Sequence, residues 1–116
     1  MSEILLVMTN LPDARSAKKM AEHIIQSRSA TCVNQLAACT STYLWEDKIV
    51  TAQEIPLLIK TTRAAYAQLE KLIRAAHPYE LPEIIALPVT LGLPAYLAWV
   101  ASEIEIQGAL EIQISS

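Results

Sequence analysis

The sequence predicts an α+β fold, a ferredoxin-like β-α-β-β-α-β sandwich with a long β2-β3 hairpin and an added C-terminal helix. Two observations carry that prediction. Apolar residues switch between strand and helix periodicity in that order along the chain, and right-handed crossovers close the order into one antiparallel sheet with two helices on one face. The middle pair of extended segments, Thr31 to Trp45 and Ile49 to Thr61, is also more than twice the usual strand length of about 5–6 residues. Its far half must project beyond the helices.

The elements follow in order. "EILLVM" (Glu3 to Met8) is continuously apolar and reads as a central strand buried on both faces. A turn signal at Asn10 to Asp13 precedes a helix whose Ala14, Ala17, Ala21, Ile24 and Ile25 recur at helical spacing. The two long extended segments follow, joined by "EDK" with Asp47 as turn residue. Pro56 inside the returning strand removes a ladder donor, so a bulge or an unpaired edge is expected there. A second helix, Arg63 to Ala76, stacks Ala65, Leu69, Leu72, Ile73 and Ala76. "EIIALPV" is a short strand. "GLPAYLAWVASEI" opens a third helix with Pro94 in its first turn, and Trp99 is expected to pack that helix on the sheet. The tail "ALEIQIS" alternates and reads as a short edge strand.

Composition narrows the function. The 116 residues make one domain, 1–116, with 53% hydrophobic and 18% charged residues, a folded globule rather than a disordered chain. A net charge of -3 without a basic run excludes a dedicated nucleic-acid binder. No apolar run approaches the roughly 20 residues that span a bilayer. "MSEILLVMTN" lacks a basic leader and cleavage site, which points to the cytoplasm and to no membrane partner. Cys32 and Cys39 lie too far apart on one straight strand to bridge, and their odd spacing sends them to opposite faces. Cys32 reads as a small buried hydrophobe.

The connector "HPYELPEII" (His77 to Ile85) is the densest chemistry in the chain. Pro78 forces the preceding residue out of helical geometry, so the helix ends at His77. Pro82 keeps the segment out of the ladder, leaving a rigid bridge that holds His77, Tyr79, Glu80 and Glu83. His77 either caps the helix carbonyls or serves as a metal ligand or cleft anchor, and one ring nitrogen could do each. Lys60 ends "PLLIK", where it snorkels, pairs with Glu80 or Glu83, or meets an anionic ligand. Tyr43 and Trp45 sit on the projecting hairpin, an exposed aromatic edge that needs a covering chain and so points to an oligomer. His23 reads as a surface residue.

An enzyme is hard to build from these parts. Only Gly92 and Gly108 occur, so no glycine-rich loop cradles phosphates. There is no G-x-S-x-G elbow and no H-E-x-x-H. A His77–Glu83 acid-base pair is conceivable, but no substrate pocket is legible beside it.

"LPDARSAKKMAEHII", "TCVN", "STYLW", "LLIKT", "HPYELPEIIALPV" and "YLAW" together resemble the CutA family of divalent-cation tolerance proteins, over roughly Ile4 to Ile104. The resemblance implies a non-enzymatic homotrimer, related in architecture to PII-type proteins, with Tyr43 and Trp45 at the subunit interface and the hairpins pairing edge to edge. It also implies binding of copper or another divalent cation at positions that here are Met8, Ala76 and His77, leaving His77 and Met8 as the candidate metal ligands. A second implication is a PII-like trimer with a cleft of Lys60, Tyr79, Glu80 and Glu83 for a small anionic ligand, metal being incidental. The chain departs from the family pattern at Ala37-Ala38, where Pro-Gly is usual, at Asp47, where Gly is usual, and in the thinned acidic run "VTAQE".

Overall fold

The computed structural model describes residues 2–106. Eight elements follow one another: β1 (Ile4–Leu11), α1 (Ala14–Gln26), β2 (Cys32–Gln35), β3 (Cys39–Trp45), β4 (Lys48–Thr62), α2 (Arg63–Ala76), β5 (Ile85–Pro88) and α3 (Pro94–Ser102). The strands pair antiparallel in the order β2-β4-β1-β5, with β3 continuing along β4 beyond β2. This is the ferredoxin-like order. The expected tail strand at Ala109 to Ser115 lies outside the described residues.

Alternation along β1 and β4 builds the core. Leu5, Val7 and Leu11 point to the helix side together with Leu57 and Ile59. Ala17, Met20 and Ile24 of α1 and Leu69 and Ile73 of α2 close over them. Ala14, Ile25 and Ala76 stay at the surface, and Met20 fills the space the sequence pattern had given to Ala21. Both helices start on side-chain caps: Asp13 accepts from the Ser16 N–H at 2.7 Å, and Thr62 accepts from the Ala65 N–H at 3.3 Å.

α3 begins at Pro94 and docks through Val100, which is fully buried, while Thr31 Oγ1 donates to the Val100 carbonyl at 2.5 Å. Trp99 does not pack α3 on the sheet as expected. It is 44% exposed and tilts against Tyr96 at 5.5 Å. Val100, one position on, faces inward because the helix turns about 100° per residue.

The first long segment is not one strand. It breaks at Leu36 to Ala38, where three residues oppose two of β4, Ile55 and Pro56. That is a one-residue bulge. β4 itself stays in register with β1 straight through Pro56. The Leu36 N–H donates to the Pro56 carbonyl at 3.0 Å, so the main chain of Pro56 faces the bulge. Its missing N–H falls where the ladder is already interrupted.

The bulge also overturns the expectation about the cysteines. Cys32 pairs with Lys60 and Cys39 with Glu54, two β4 positions of the same parity. Both cysteines therefore lie on one face of the sheet, and both are free. Their β4 partners are six residues apart, about 20 Å along a strand, which keeps a disulfide out of reach.

Beyond the bulge β3 and β4 run on as the long hairpin, and the molecule measures 53 × 33 × 26 Å. Its turn is Glu46-Asp47, at φ 50° and 63°. Two left-handed residues are what a tight two-residue hairpin demands.

Candidate functional site

α2 ends on His77, whose φ of −75° and ψ of 136° are extended, as the following proline requires. The His77 N–H still caps the helix by donating to Ile73 O at 2.9 Å. The extended turn swings the imidazole back under the end of β1. There Nε2–H donates to the Asn10 carbonyl at 2.7 Å, and Nδ1 accepts from the Tyr79 N–H at 3.1 Å. The ring is 8% exposed. Burial holds its pKa below the usual histidine value, outweighing the Asn10 hydrogen bond and the Glu54 carboxylate, both of which pull upward. The imidazole is a neutral Nε2–H tautomer with both nitrogens engaged.

This corrects the metal reading of His77. A metal ligand needs a free lone pair on the ring; here one nitrogen carries the proton and the other already accepts. Met8 lies mid-strand in β1, between Leu58 of β4 and Ile85 of β5, whereas His77 binds the main chain at Asn10. Among the described residues no three His, Cys, Asp or Glu side chains are placed to hold a metal ion. The pair does not fit a copper ion.

Tyr79, Glu80 and Glu83 come together as the sequence suggests. They form one wall of a cleft of about 730 Å³, with Asn10 at its floor and the projecting hairpin opposite. Tyr43 and Trp45 stand on that hairpin and line the same cleft. The acidic residue that sequence reasoning left without a role is Glu54. It is only 9% exposed and lines this cleft. Burial first, and then a hydrogen bond to Glu54, push the Tyr79 hydroxyl up to about 12, so it stays a neutral donor to that carboxylate. One signal for Glu54 was available: it is the only acid between Lys48 and Thr62, two residues before Pro56.

Lys60 does not join them. Its position in β4 lies between Leu6 of β1 and Cys32 of β2. There its ammonium donates to Asn34 Oδ1 and approaches Cys32 Sγ at 3.8 Å. The expected ion pair with Glu80 or Glu83 is absent. Six residues of β4 separate Lys60 from Glu54, so the lysine stands well along the sheet from the cleft. No Lys or Arg lines the cleft among the described residues. An anion placed there would meet three carboxylates and no countercharge. His23, exposed on α1, takes no part.

The model of the CutA1 divalent ion tolerance protein family matches residues 5–103.

The chain belongs to that family.

A divalent-cation tolerance protein CutA from Thermus thermophilus is 39% identical over 85% of this chain and 94% of its own length. Mouse protein CutA is 42% identical over 77% of this chain, which spans 50% of the mouse protein. Among solved structures, CutA from Xylella fastidiosa superposes with a TM-score of 0.86 at 44% identity, covering 90% of this chain and 100% of that one. A CutA structure from Archaeoglobus fulgidus, described as periplasmic, gives 0.85 at 28% identity over 88% of this chain and 99% of its own. Among the described residues no helix is long and apolar enough to cross a membrane.

Proposed function

We propose that this chain is a non-enzymatic, metal-responsive homotrimer whose acidic cleft meets copper or another divalent cation weakly. The observation that carries this reading is the charge of the cleft. Glu54, Glu80 and Glu83 line it, and no basic side chain does among the described residues. Carboxylate oxygens suit hard divalent ions, whereas soft Cu(I) would want a thiolate or thioether with a free imidazole. His77 serves as the brace that fixes this wall. The anion-sensing alternative depended on Lys60 beside the bridge, and Lys60 stands elsewhere.

Assembly rests on the exposed apolar side chains. Leu44, Ile49, Leu81 and Leu91 are each at least 70% exposed, and Leu44 and Ile49 pair on the hairpin face opposite the one that carries Tyr43 and Trp45 into the cleft. So large an apolar surface is an association surface, and three subunits joined through their hairpins would wall the cleft from outside. Two free thiols suit a reducing compartment, and we place the protein in the cytoplasm.

One experiment addresses both parts. Light scattering at micromolar concentration should give three chain masses. Titrating that metal-free assembly with Cu(II) should give micromolar or poorer binding, because among the described residues of one chain no three His, Cys, Asp or Glu side chains are placed to hold a metal ion. Glu83→Gln should weaken it, and a metabolite-sized anion such as inorganic phosphate should not bind. A monomer, or copper binding that is unchanged in Glu83→Gln and in Glu54→Gln, removes the corresponding half of the reading.

A further inference from the structure

The cleft holds more than carboxylates, and the surplus points to a particular ligand chemistry. Tyr43, Trp45 and Tyr79 bring three aromatic rings to its lining. Val50 and Leu81 add apolar wall. A bare metal ion has no use for rings or aliphatic surface. Glu54 is the second observation. As a residue it is nine-tenths buried, and the ion pairs among the described residues, Arg28–Glu103 and Arg63–Glu3, do not include it. Its polar neighbour is the neutral Tyr79 hydroxyl. A carboxyl group has room for more hydrogen-bond partners than that one hydroxyl supplies. Lys48, which pairs with Trp45 at the end of the hairpin, does not line the cleft.

We propose that this cleft binds an organic cation, a primary ammonium or guanidinium carried on a short aliphatic stem. The charge sits against Glu54 and over the aromatic faces, where the ring quadrupole attracts a cation. The stem lies on Val50 and Leu81, and the rim carboxylates Glu80 and Glu83 face a second charge when the ligand has one. The volume of about 730 Å³ falls within the range of small-molecule sites. The inference rests on reading the cleft as a cation site and adds the chemical class of cation.

The test uses the assembled protein at neutral pH and fixed ionic strength, with calorimetry and tryptophan fluorescence as readouts. Butylammonium, butylguanidinium, diaminobutane and neutral butanol are compared, with Cu(II) and Mn(II) titrated in parallel. The three organic cations should compete for one site and exceed butanol by roughly tenfold or more, as a charge-assisted contact does over a neutral one. Trp45→Leu should weaken butylammonium several-fold, and Glu54→Gln, which keeps size and a Tyr79 partner, by about tenfold or more. Butanol binding as well as butylammonium overturns the proposal, as does a Trp45→Leu protein that binds butylammonium like the parent. If the metal ions bind and butylammonium does not, the organic-cation inference falls while the divalent reading stands. If butylammonium binds and the metal ions do not, the inference stands and the divalent reading falls.

Discussion

His77 ties the end of β1 to the start of the bridge: its Nε2–H donates to the Asn10 carbonyl and its Nδ1 accepts from the Tyr79 N–H. One neutral ring thus fixes both the floor of the cleft and the wall that carries Tyr79, Glu80 and Glu83. The family resemblance had made this histidine a metal ligand. Its geometry makes it the brace on which the acidic wall hangs.

That brace should be sensitive to acid. Because the folded-state pKa of His77 lies below its ordinary value of 6.5, the unfolded chain binds the proton more readily. The contribution is therefore complete above about pH 6.5 and is lost as pH falls through the lower folded value. Protonating Nδ1 also removes the acceptor of the Tyr79 N–H. Denaturant melts of the parent and His77→Gln across pH 5 to 8 check this: the parent should lose stability on the acid side, and the Gln variant should lose less over the same window.

A buried hydroxyl gives a sharper stability test. Thr9 is fully buried on the helix side of β1, and its Oγ1 has no hydrogen-bond partner. Thr9→Val keeps the shape, suits a strand and removes an uncompensated polar atom. Stability should rise by about 1 kcal/mol, read as a shift of the urea midpoint at unchanged slope. A clear loss would mean that the hydroxyl is satisfied by a buried water.

The hairpin turn is strained for a different reason. Glu46 and Asp47 both hold positive φ, a region that costs an L-residue with a side chain roughly 1–2 kcal/mol, less for Asp than for Glu. Asp47→Gly should relieve part of this and raise the melting point slightly, for a gain of roughly 0.5–1 kcal/mol. Thermal unfolding of the assembled protein measures it. A drop would indicate that the side chain of Asp47 makes a contact at the hairpin tip in the assembly.

Much of this architecture was legible in the residues. Periodicity placed α2 at Arg63–Ala76, and Pro78 marked where it ends, because a proline acts on its neighbour's backbone whatever the tertiary setting. The bridge residues were found for the same local reason. Glu54, the fate of Lys60 and the facing of Cys39 were not legible. Each depends on which β4 position meets which partner, and a bulge between Gln35 and Cys39 resets that register without leaving a periodic trace. Pro56 hinted at a bulge but could not say that the extra residue lies on the opposite strand.

The pairing of β3 with β4 decides the facing of the cleft, and removing the bulge beside it is the most demanding test. With the extra residue in place, Tyr43 pairs with Val50 and Cys39 with Glu54, so Tyr43, Trp45 and Glu54 share one face. Deleting Ala37 makes the count on the two strands equal. The ladder can then run unbroken from Gln35–Leu57 to Cys39–Glu54, so Tyr43 stays opposite Val50 on the same face and only the local bend of the bulge is lost. In a Trp99→Phe background, Trp45 is the sole remaining indole and reports on that change. Its emission and its response to butylammonium should be kept, because Tyr43, Trp45 and Glu54 still share one face, and the core melt, set by β1, β4 and the two helices, should fall far less than for a core truncation such as Ile24→Ala at about 2–5 kcal/mol. If the deletion variant loses both its Trp45 emission and its cation response, the bend made by the bulge, and not the β3–β4 register alone, aims the aromatic wall at the cleft.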